Sequence, residues 1–293
     1  EVKESVTEQS PKNNLTQERA SILLSSPYAG LPGWRQVIQP HPDVAEGRYR
    51  NAEFAADLAQ VARGEGSFEY RDPVEFFNRT YVTEGMKGLL KQSILRVTGR
   101  GGEPVIQLKT AFGGGKTHSM LAIYHMMRSG KNVGKLPGIQ PILRECGVDS
   151  LPHVNVAVLV GTALDPTKKK IPANLPGITV NTLWGEMTYQ LALASGKYNL
   201  YNLIKKSDKD SVSPGSETLK KLFDECSPCV VLIDELVAYA RKLYGKSGLP
   251  AGSFENQLSF IQEITDAAKA SKNCLIVASI PESHKEIGGE AGQ

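Results

Sequence analysis

Residues 105–117 of the chain read VIQLKTAFGGGKT. The first four are apolar apart from one glutamine and predict a short buried strand, which a glycine-rich turn follows directly. After Lys116, apolar side chains recur three or four positions apart and predict an amphipathic helix: Met120, Leu121, Ile123, Tyr124 and Met127. A strand, a glycine turn and a helix in this order are typical of α/β proteins that bind ligands beyond the strand ends.

The turn contains the residues that a phosphate-binding loop requires. Glycines allow backbone N–H groups to point inward around a polyanion, and the positive end of the following helix faces the same anion. The Lys116 ammonium would contact the β- and γ-phosphates, and the Thr117 hydroxyl would bind Mg²⁺. We therefore predict ATP and Mg²⁺ as ligands, with these residues around the nucleotide: Thr110, Ala111, Phe112, Gly113, Gly114, Gly115, Lys116, Thr117 and His118. The alternative is a glycine-rich turn that happens to precede Lys-Thr.

One position departs from the general pattern G-x-x-x-x-G-K-[ST]. The pattern has glycine where this chain has Thr110. The turn out of the strand would then be made without a positive φ angle at that position. The necessary flexibility is left to Gly113 and Gly114.

A second signal lies in residues 230–235, which read VVLIDE. The four apolar residues predict a buried strand that delivers two acids to the carboxyl edge of the sheet. We expect Asp234 to hold the Mg²⁺ shell and Glu235 to polarise the attacking water, which speaks for hydrolysis. The predicted catalytic residues are thus Glu235, Lys116 and Ser279. The alternative is a strand that ends in a solvated acidic turn.

Other polar residues near these motifs are candidates with open alternatives. Ser279 follows the apolar segment 275–278, where it would lie near the γ-phosphate or would simply be a small residue at a strand end. His118 is expected near the phosphates or in a core contact, and His125 in packing. Arg241 could reach the γ-phosphate of a neighbouring subunit, although an arginine on an exposed helix face is more often solvated.

Strands and helices alternate along the chain. Three further apolar segments predict strands: 154–160, 230–233 and 275–278. Amphipathic spacing predicts helices between them, around 183–194 and 219–223 and after Ser253. This order predicts a three-layer α/β sandwich with a mainly parallel sheet, of the additional-strand class of P-loop NTPases.

The chain is expected to comprise three regions. Residues 1–18 are charged and poor in aromatic residues and are predicted to be disordered. Residues 19–102 would form a helical extension that packs on the core, with Asp72-Pro73 marking the start of one helix. Residues 103–293 would form the ATPase core.

Composition excludes some classes of protein. The formal net charge is +3, from 34 basic and 31 acidic residues, which is too small a bias to argue for nucleic-acid binding and does not exclude it. The sequence contains no run of about eighteen apolar residues, so it predicts no membrane span. Cys226 and Cys229 form a C-x-x-C pair, but they follow a helical pattern and precede a strand, the reverse of a thioredoxin-type site. We expect a structural turn with reduced thiols, in a cytoplasmic protein.

Five blocks of the chain occur together in one known family: DPVEFFNRTYVT at 72–83, LKTAFGGGKTH at 108–118, TLWGE at 182–186, IDELVAYAR at 233–241 and SIPE at 279–282. In this order the blocks resemble the prokaryotic family called domain of unknown function 499, which comprises large AAA+-type ATPases. The resemblance runs from about Trp34 to the end of the chain. Thr110 also matches this family's own pattern.

The resemblance implies an AAA+ module that would continue beyond this chain with a fifth strand, an arginine finger and a helical lid. It implies a role in phage defence of the BREX or Pgl type, with DNA, an adenine-specific DNA methyltransferase or other defence proteins as partners. By AAA+ analogy, residues 76–81 would line the adenine pocket or else pack in the core. Lysines 168–170 would touch a phosphate backbone in a pore loop or else be solvated.

Three functions are compatible with these residues. The first is an ATPase motor or switch that acts with DNA-modifying machinery, in which a homo-oligomer is possible. The second is a nucleotide-dependent scaffold that binds ATP and recruits partners with little hydrolysis. The third is a phosphotransferase, which would place no demand on Glu235.

Overall fold

Four parallel strands form one sheet in the computed structural model, which describes residues 32–33, 38, 45, 56–110 and 115–281. The strands are β1 (Val105–Thr110), β2 (Asn155–Val160), β3 (Cys229–Asp234) and β4 (Cys274–Pro281). Their order across the sheet is β1-β4-β3-β2, so β4 separates β1 from β3. The four predicted strands are confirmed, and their ends differ from the prediction by at most three residues.

Contacts divide the chain into two units, Glu1–Ala52 and Glu53–Gln293, and all the elements named here belong to the second. The segment predicted to be disordered, 1–18, lies outside the described residues. Among the described residues of the second unit, four helices precede β1: α1 (Leu58–Ala62), α2 (Phe68–Arg71), α3 (Pro73–Asn78) and α4 (Glu84–Val97). Helix α3 begins as predicted, because the Asp72 carboxylate accepts hydrogen bonds from the N–H groups of Val74 and Glu75.

The remaining helices connect the strands. After β1 come α5 (Lys116–Ser129), a 3₁₀ helix (Gly130–Lys135) and α6 (Gln140–Glu145). Between β2 and β3 lie α7 (Leu183–Ser195), a 3₁₀ helix (Tyr198–Leu203), α8 (Lys205–Asp210) and α9 (Ser216–Glu225). Between β3 and β4 lie α10 (Leu236–Leu243) and α11 (Phe254–Ala270). Within the described ranges, no helix is at once long enough and apolar enough to cross a membrane.

Helices cover both faces of the sheet. Alternate strand residues such as Val158 and Val277 pack with α4 and α5 on one face. Their neighbours in the chain, such as Leu159 and Ile276, pack with α7, α9 and α11 on the other face. Successive strand side chains point to opposite faces, so each face has its own apolar cluster. The predicted three-layer α/β arrangement with a parallel sheet is confirmed.

Helix α4 is tied to the strand layer by Arg96. Its guanidinium donates to the carbonyl oxygens of Cys274 at 2.8 Å and Ala268 at 2.7 Å, and also to that of Ser271. The last two carbonyls lie at the end of α11, where helix carbonyls have no partner within the helix. Residues of α1, α3 and α4 also belong to the same apolar cluster as α5.

Candidate functional site

The carboxyl ends of β1, β4 and β3 are level at one edge of the sheet. Leu108 of β1 lies beside Ser279 of β4, and Ile233 of β3 lies beside Ala278 of β4. Asp234, which ends β3, and Ser279 therefore meet at this edge across adjacent strands. Ligands bind at this edge in open parallel sheets.

Helix α5 begins at this edge, with Lys116 and Thr117 in its first turn. Gly115 precedes them with a φ angle of 73°, a left-handed conformation that glycine adopts without a Cβ penalty. The first N–H groups of a helix have no partner within it, and together with the helix dipole they attract an anion. Thr110 ends β1. The roles predicted for the next four residues stay predictions, because those residues lie outside the described ranges: Ala111, Phe112, Gly113 and Gly114.

Asp234 joins the two sequence motifs, and it is only 3% exposed. The Thr117 hydroxyl, 117 residues away in sequence, donates to its Oδ2 at 2.8 Å. Its Oδ1 accepts from the Ser279 hydroxyl at 2.5 Å and from the Glu235 N–H at 3.0 Å. The buried carboxylate is thus held by three donors from three different elements, and hydrogen bonds to a carboxylate are stronger than those between neutral groups.

Glu235 follows with its backbone in the left-handed region, at φ 56°. This conformation costs about 1–2 kcal/mol for a residue with a side chain. Its N–H is shared between Asp234 Oδ1 and Ser279 Oγ, both at 3.0 Å. The residue is exposed and is the N-cap of α10. Strain of this kind persists where the surrounding structure holds it, which is often at functional sites.

The turn after β2 packs against Glu235. A Cβ at Gly161 would lie 2.0 Å from the Glu235 carbonyl oxygen, so this position requires glycine. The Lys242 ammonium, from α10, donates to three carbonyl oxygens within residues 161–164 at 2.7–3.1 Å. Neither residue was predicted from the sequence. A glycine directly after a buried strand is a signal of close backbone approach, whereas no local pattern marks Lys242.

His118 lies between α5 and α3. Its Nε2 is 2.9 Å from the Thr80 hydroxyl oxygen, and that hydroxyl donates its single proton to the Phe76 carbonyl at 2.6 Å. Nε2 must therefore be the donor to Thr80. Burial lowers the pKa of His118, which favours the neutral ring. The Phe76 ring packs against the imidazole with the centroids 4.6 Å apart.

The segment 76–81, a candidate for the adenine pocket, contains both buried and exposed rings. Phe76 and Phe77 are 1% and 3% exposed and belong to the core. Tyr81 is 86% exposed. The two phenylalanines therefore take the packing role, and Tyr81 is the aromatic ring of this segment that a ligand could reach.

The free energy of unfolding is expected to fall as the pH drops below about 6.5, in part because of His125. This buried imidazole donates from Nε2 to the Tyr70 carbonyl at 2.7 Å, and its burial lowers its pKa. The unfolded chain then takes up a proton at a higher pH than the folded chain. The stabilising contribution is complete above the unfolded pKa and is lost as the pH falls through the lower folded pKa. Chemical denaturation at about pH 7.5 and about pH 5.5 measures this difference.

His125→Gln keeps an N–H donor and removes the titrating ring, so it should reduce the pH dependence. The matched control is His153→Gln, since His153 is an exposed histidine. The control should retain the full pH dependence. The same pH dependence in His125→Gln and the unchanged protein would exclude His125 as a contributor.

Two of the lysines proposed for a pore loop form ion pairs within the chain. Lys170 is held by both carboxylate oxygens of Glu186, at 2.7 and 2.9 Å, and Lys168 pairs with Asp165 at 3.3 Å. The Lys170 contact anchors the connection after β2 to helix α7. Arg241 is exposed on α10.

The C-x-x-C pair has the properties of a structural turn. Cys226 and Cys229 are buried free thiols. A hydrogen bond with Cys229, together with burial, raises the pKa of the Cys226 thiol. Reactive cysteines have lowered pKa values and access to solvent, so Cys226 lacks both requirements.

A groove of about 790 Å³ runs along the outer edge of β2, and its lining includes neither Thr117 nor Asp234. Gln190, from α7, lies at the middle of this edge. Its amide oxygen accepts from the Val158 N–H at 2.7 Å, and its amide nitrogen donates to the Val158 carbonyl at 2.8 Å. The side chain thus takes the place of a neighbouring strand there, which protects the edge from pairing with other chains.

The DUF499 N-terminal domain is the family whose model matches this chain, over residues 36–293. Since this range covers most of the chain, the chain belongs to that family. No curated protein matches it. No solved structure matches it either.

Proposed function

We propose that this member of the DUF499 family is a Mg²⁺-dependent ATPase of the P-loop, AAA+-like type. The observation that carries the proposal is the hydrogen bond of 2.8 Å between the Thr117 hydroxyl and the Asp234 carboxylate. It joins the first turn of the helix after the glycine loop to the acidic end of a different strand. A helix terminus that would bind an anion and a carboxylate that would bind a divalent cation are thus neighbours.

The residues at this edge fit Mg²⁺. A hydroxyl and a carboxylate are hard oxygen ligands, and Mg²⁺ is usually held by one or two protein groups together with phosphate oxygens and water. Among the described residues there is no group of three or more side chains that would form a metal cage. Thr117 and Asp234 would therefore hold the ion only together with a phosphate ligand, and the ion would neutralise charge on the phosphates.

The strand order also supports this class. In the additional-strand P-loop ATPases one strand lies between the loop strand and the acidic strand. Here β4 lies between β1, which leads into the glycine loop, and β3, which ends in Asp234. The inserted strand supplies Ser279 to the same edge.

The chain's own residues would then have separate roles in hydrolysis. Lys116 and the N–H groups at the start of α5 would bind the phosphates. Glu235, exposed beside the buried Asp234, would accept a proton from the attacking water. A proton acceptor for water supports hydrolysis as the proposed reaction, whereas phosphotransfer would place no demand on Glu235.

Lys116→Ala is expected to weaken ATP binding at least about tenfold, because the phosphates lose a positive charge at the loop. Equilibrium binding of radiolabelled ATP in the presence of Mg²⁺ measures the loss. Lys131→Ala is the matched control, since Lys131 is an exposed lysine just beyond the other end of α5. Equal affinity in the Lys116→Ala and unchanged proteins would refute the proposed site.

The process that ATP hydrolysis drives is proposed from the family resemblance: defence against foreign DNA, together with a DNA methyltransferase or other defence proteins. ATPase activity of the full-length protein, with and without duplex DNA and with the methyltransferase, tests this part. Stimulation by DNA would support a motor or switch. Slow turnover that DNA does not change, with ATP-dependent capture of the methyltransferase, would support a scaffold instead.

A further inference from the structure

Ser279 has no proton left for a nucleotide. A serine hydroxyl has one donor and two acceptor sites. Its proton goes to Asp234 Oδ1 at 2.5 Å, and one lone pair accepts the Glu235 N–H at 3.0 Å. Because phosphate oxygens only accept, Ser279 could bond a γ-phosphate only by giving up its bond to Asp234. The side chain is also buried, at 3% exposure.

From this hydrogen bonding we infer that Ser279 is a positioning residue, which acts through Asp234 and Glu235 rather than by contact with the γ-phosphate. The inference rests on the proposed function, because it concerns the Mg²⁺-binding carboxylate and the proposed base. Ser279 and the Glu235 N–H hold one oxygen of Asp234, which turns the other oxygen towards the Thr117 hydroxyl. Loss of the serine hydroxyl removes one of the three donors that set this orientation.

The same serine supports the strained backbone of Glu235. The Glu235 N–H is a three-centre donor, with Asp234 Oδ1 and Ser279 Oγ both at 3.0 Å. The Glu235 carbonyl oxygen lies against Gly161, where the Cβ of any other residue would be only 2.0 Å from that oxygen. The hydrogen bonds of the Glu235 N–H and the close contact of its carbonyl with residue 161 together hold the φ angle at 56°. The backbone conformation fixes the start of the Glu235 side chain, so Ser279 also positions the proposed base.

The test is the Mg²⁺ dependence of nucleotide binding, measured with ADP and with a hydrolysis-resistant ATP analogue so that turnover plays no part. Ser279→Ala should raise the Mg²⁺ concentration for half-maximal binding about three- to tenfold, the loss expected for one ordinary hydrogen bond, because two of the three donors that orient Asp234 remain. Binding in EDTA should be unchanged. Ser279→Cys, which keeps a similar volume but is a weak donor, should behave like Ser279→Ala. Ser279→Thr keeps the hydroxyl and should restore the original Mg²⁺ dependence.

A contact with the γ-phosphate makes a different prediction. It would lower the affinity for the ATP analogue but not for ADP, and it would leave the Mg²⁺ dependence unchanged. That result would overturn the inference, and so would unchanged binding of both nucleotides. The matched control is Ser271→Ala, because Ser271 is equally buried and its hydroxyl has no hydrogen-bond partner within the described part of the chain. If the unchanged protein binds neither nucleotide, the proposed function fails before this inference is tested.

Discussion

Glu235→Gln is expected to reduce ATP hydrolysis by about 10²–10³-fold while ATP affinity stays within about twofold. The substitution removes the group that would accept a proton from water and keeps the size of the side chain. The backbone N–H of residue 235 still bonds to Asp234 and Ser279, because those contacts do not involve its side chain. The hydrogen bond between Thr117 and Asp234 is likewise unaffected. This variant should therefore lose ATP hydrolysis and keep its affinity for ATP.

The measurement is steady-state phosphate release beside equilibrium ATP binding, both on the full-length protein. Glu217→Gln is the matched control, since Glu217 is an exposed glutamate in the first turn of α9. Turnover at the original rate in Glu235→Gln would exclude Glu235 as the base. A joint loss of turnover and affinity would instead assign Glu235 to binding.

Gly185→Ala is expected to lower the free energy of unfolding by at least about 3 kcal/mol. A Cβ at residue 185 would lie 2.0 Å from Asp208 Oδ1. Asp208 is only 1% exposed and accepts from the Thr182 N–H at 2.9 Å and the Tyr201 hydroxyl at 2.6 Å. A shift of this carboxylate would break several of these bonds and leave a buried charge without partners, which is costly.

Gly88→Ala is the matched control for this prediction. Gly88 is also a helical glycine, but it is exposed in α4, and a Cβ there would meet nothing within 4 Å. Since alanine is the better helix former, this substitution should raise stability by up to about 1 kcal/mol. Urea denaturation of both variants gives the comparison. A Gly185→Ala protein as stable as Gly88→Ala would show that Asp208 can move at little cost.

The helices and strands that were predicted correctly share a strong local signal. β3 is a run of apolar residues that ends in Asp234, and α11 begins directly after its N-cap Ser253, whose hydroxyl accepts from the Asn256 N–H at 3.3 Å. Helices α2 and α8 were missed, because they have four and six residues and are too short to show a helical period. Their formation depends on packing against neighbouring elements, which no window of sequence contains.

The residues of the candidate site also fall into those that a local sequence pattern predicts and those that it does not. Lys116, Thr117, Asp234 and Glu235 could be identified from the sequence, because phosphate and metal binding demand particular residue types directly after apolar strands. Lys242 could not, because its importance comes from contacts across distant parts of the chain. Gly161 follows an apolar strand, which is a local signal, but its contact with Glu235 is visible only in the tertiary structure.

The sequence by itself determined where the strands lie to within three residues, since apolar runs, helical spacing and glycine turns are local properties of the chain. Only the tertiary structure decided that β4 lies between β1 and β3, and therefore that the Ser279 hydroxyl reaches Asp234 and the Glu235 backbone. The physical reason is that strand order and register follow from the packing of both sheet faces at once. The hydrogen bonds between the strand ends follow from that arrangement.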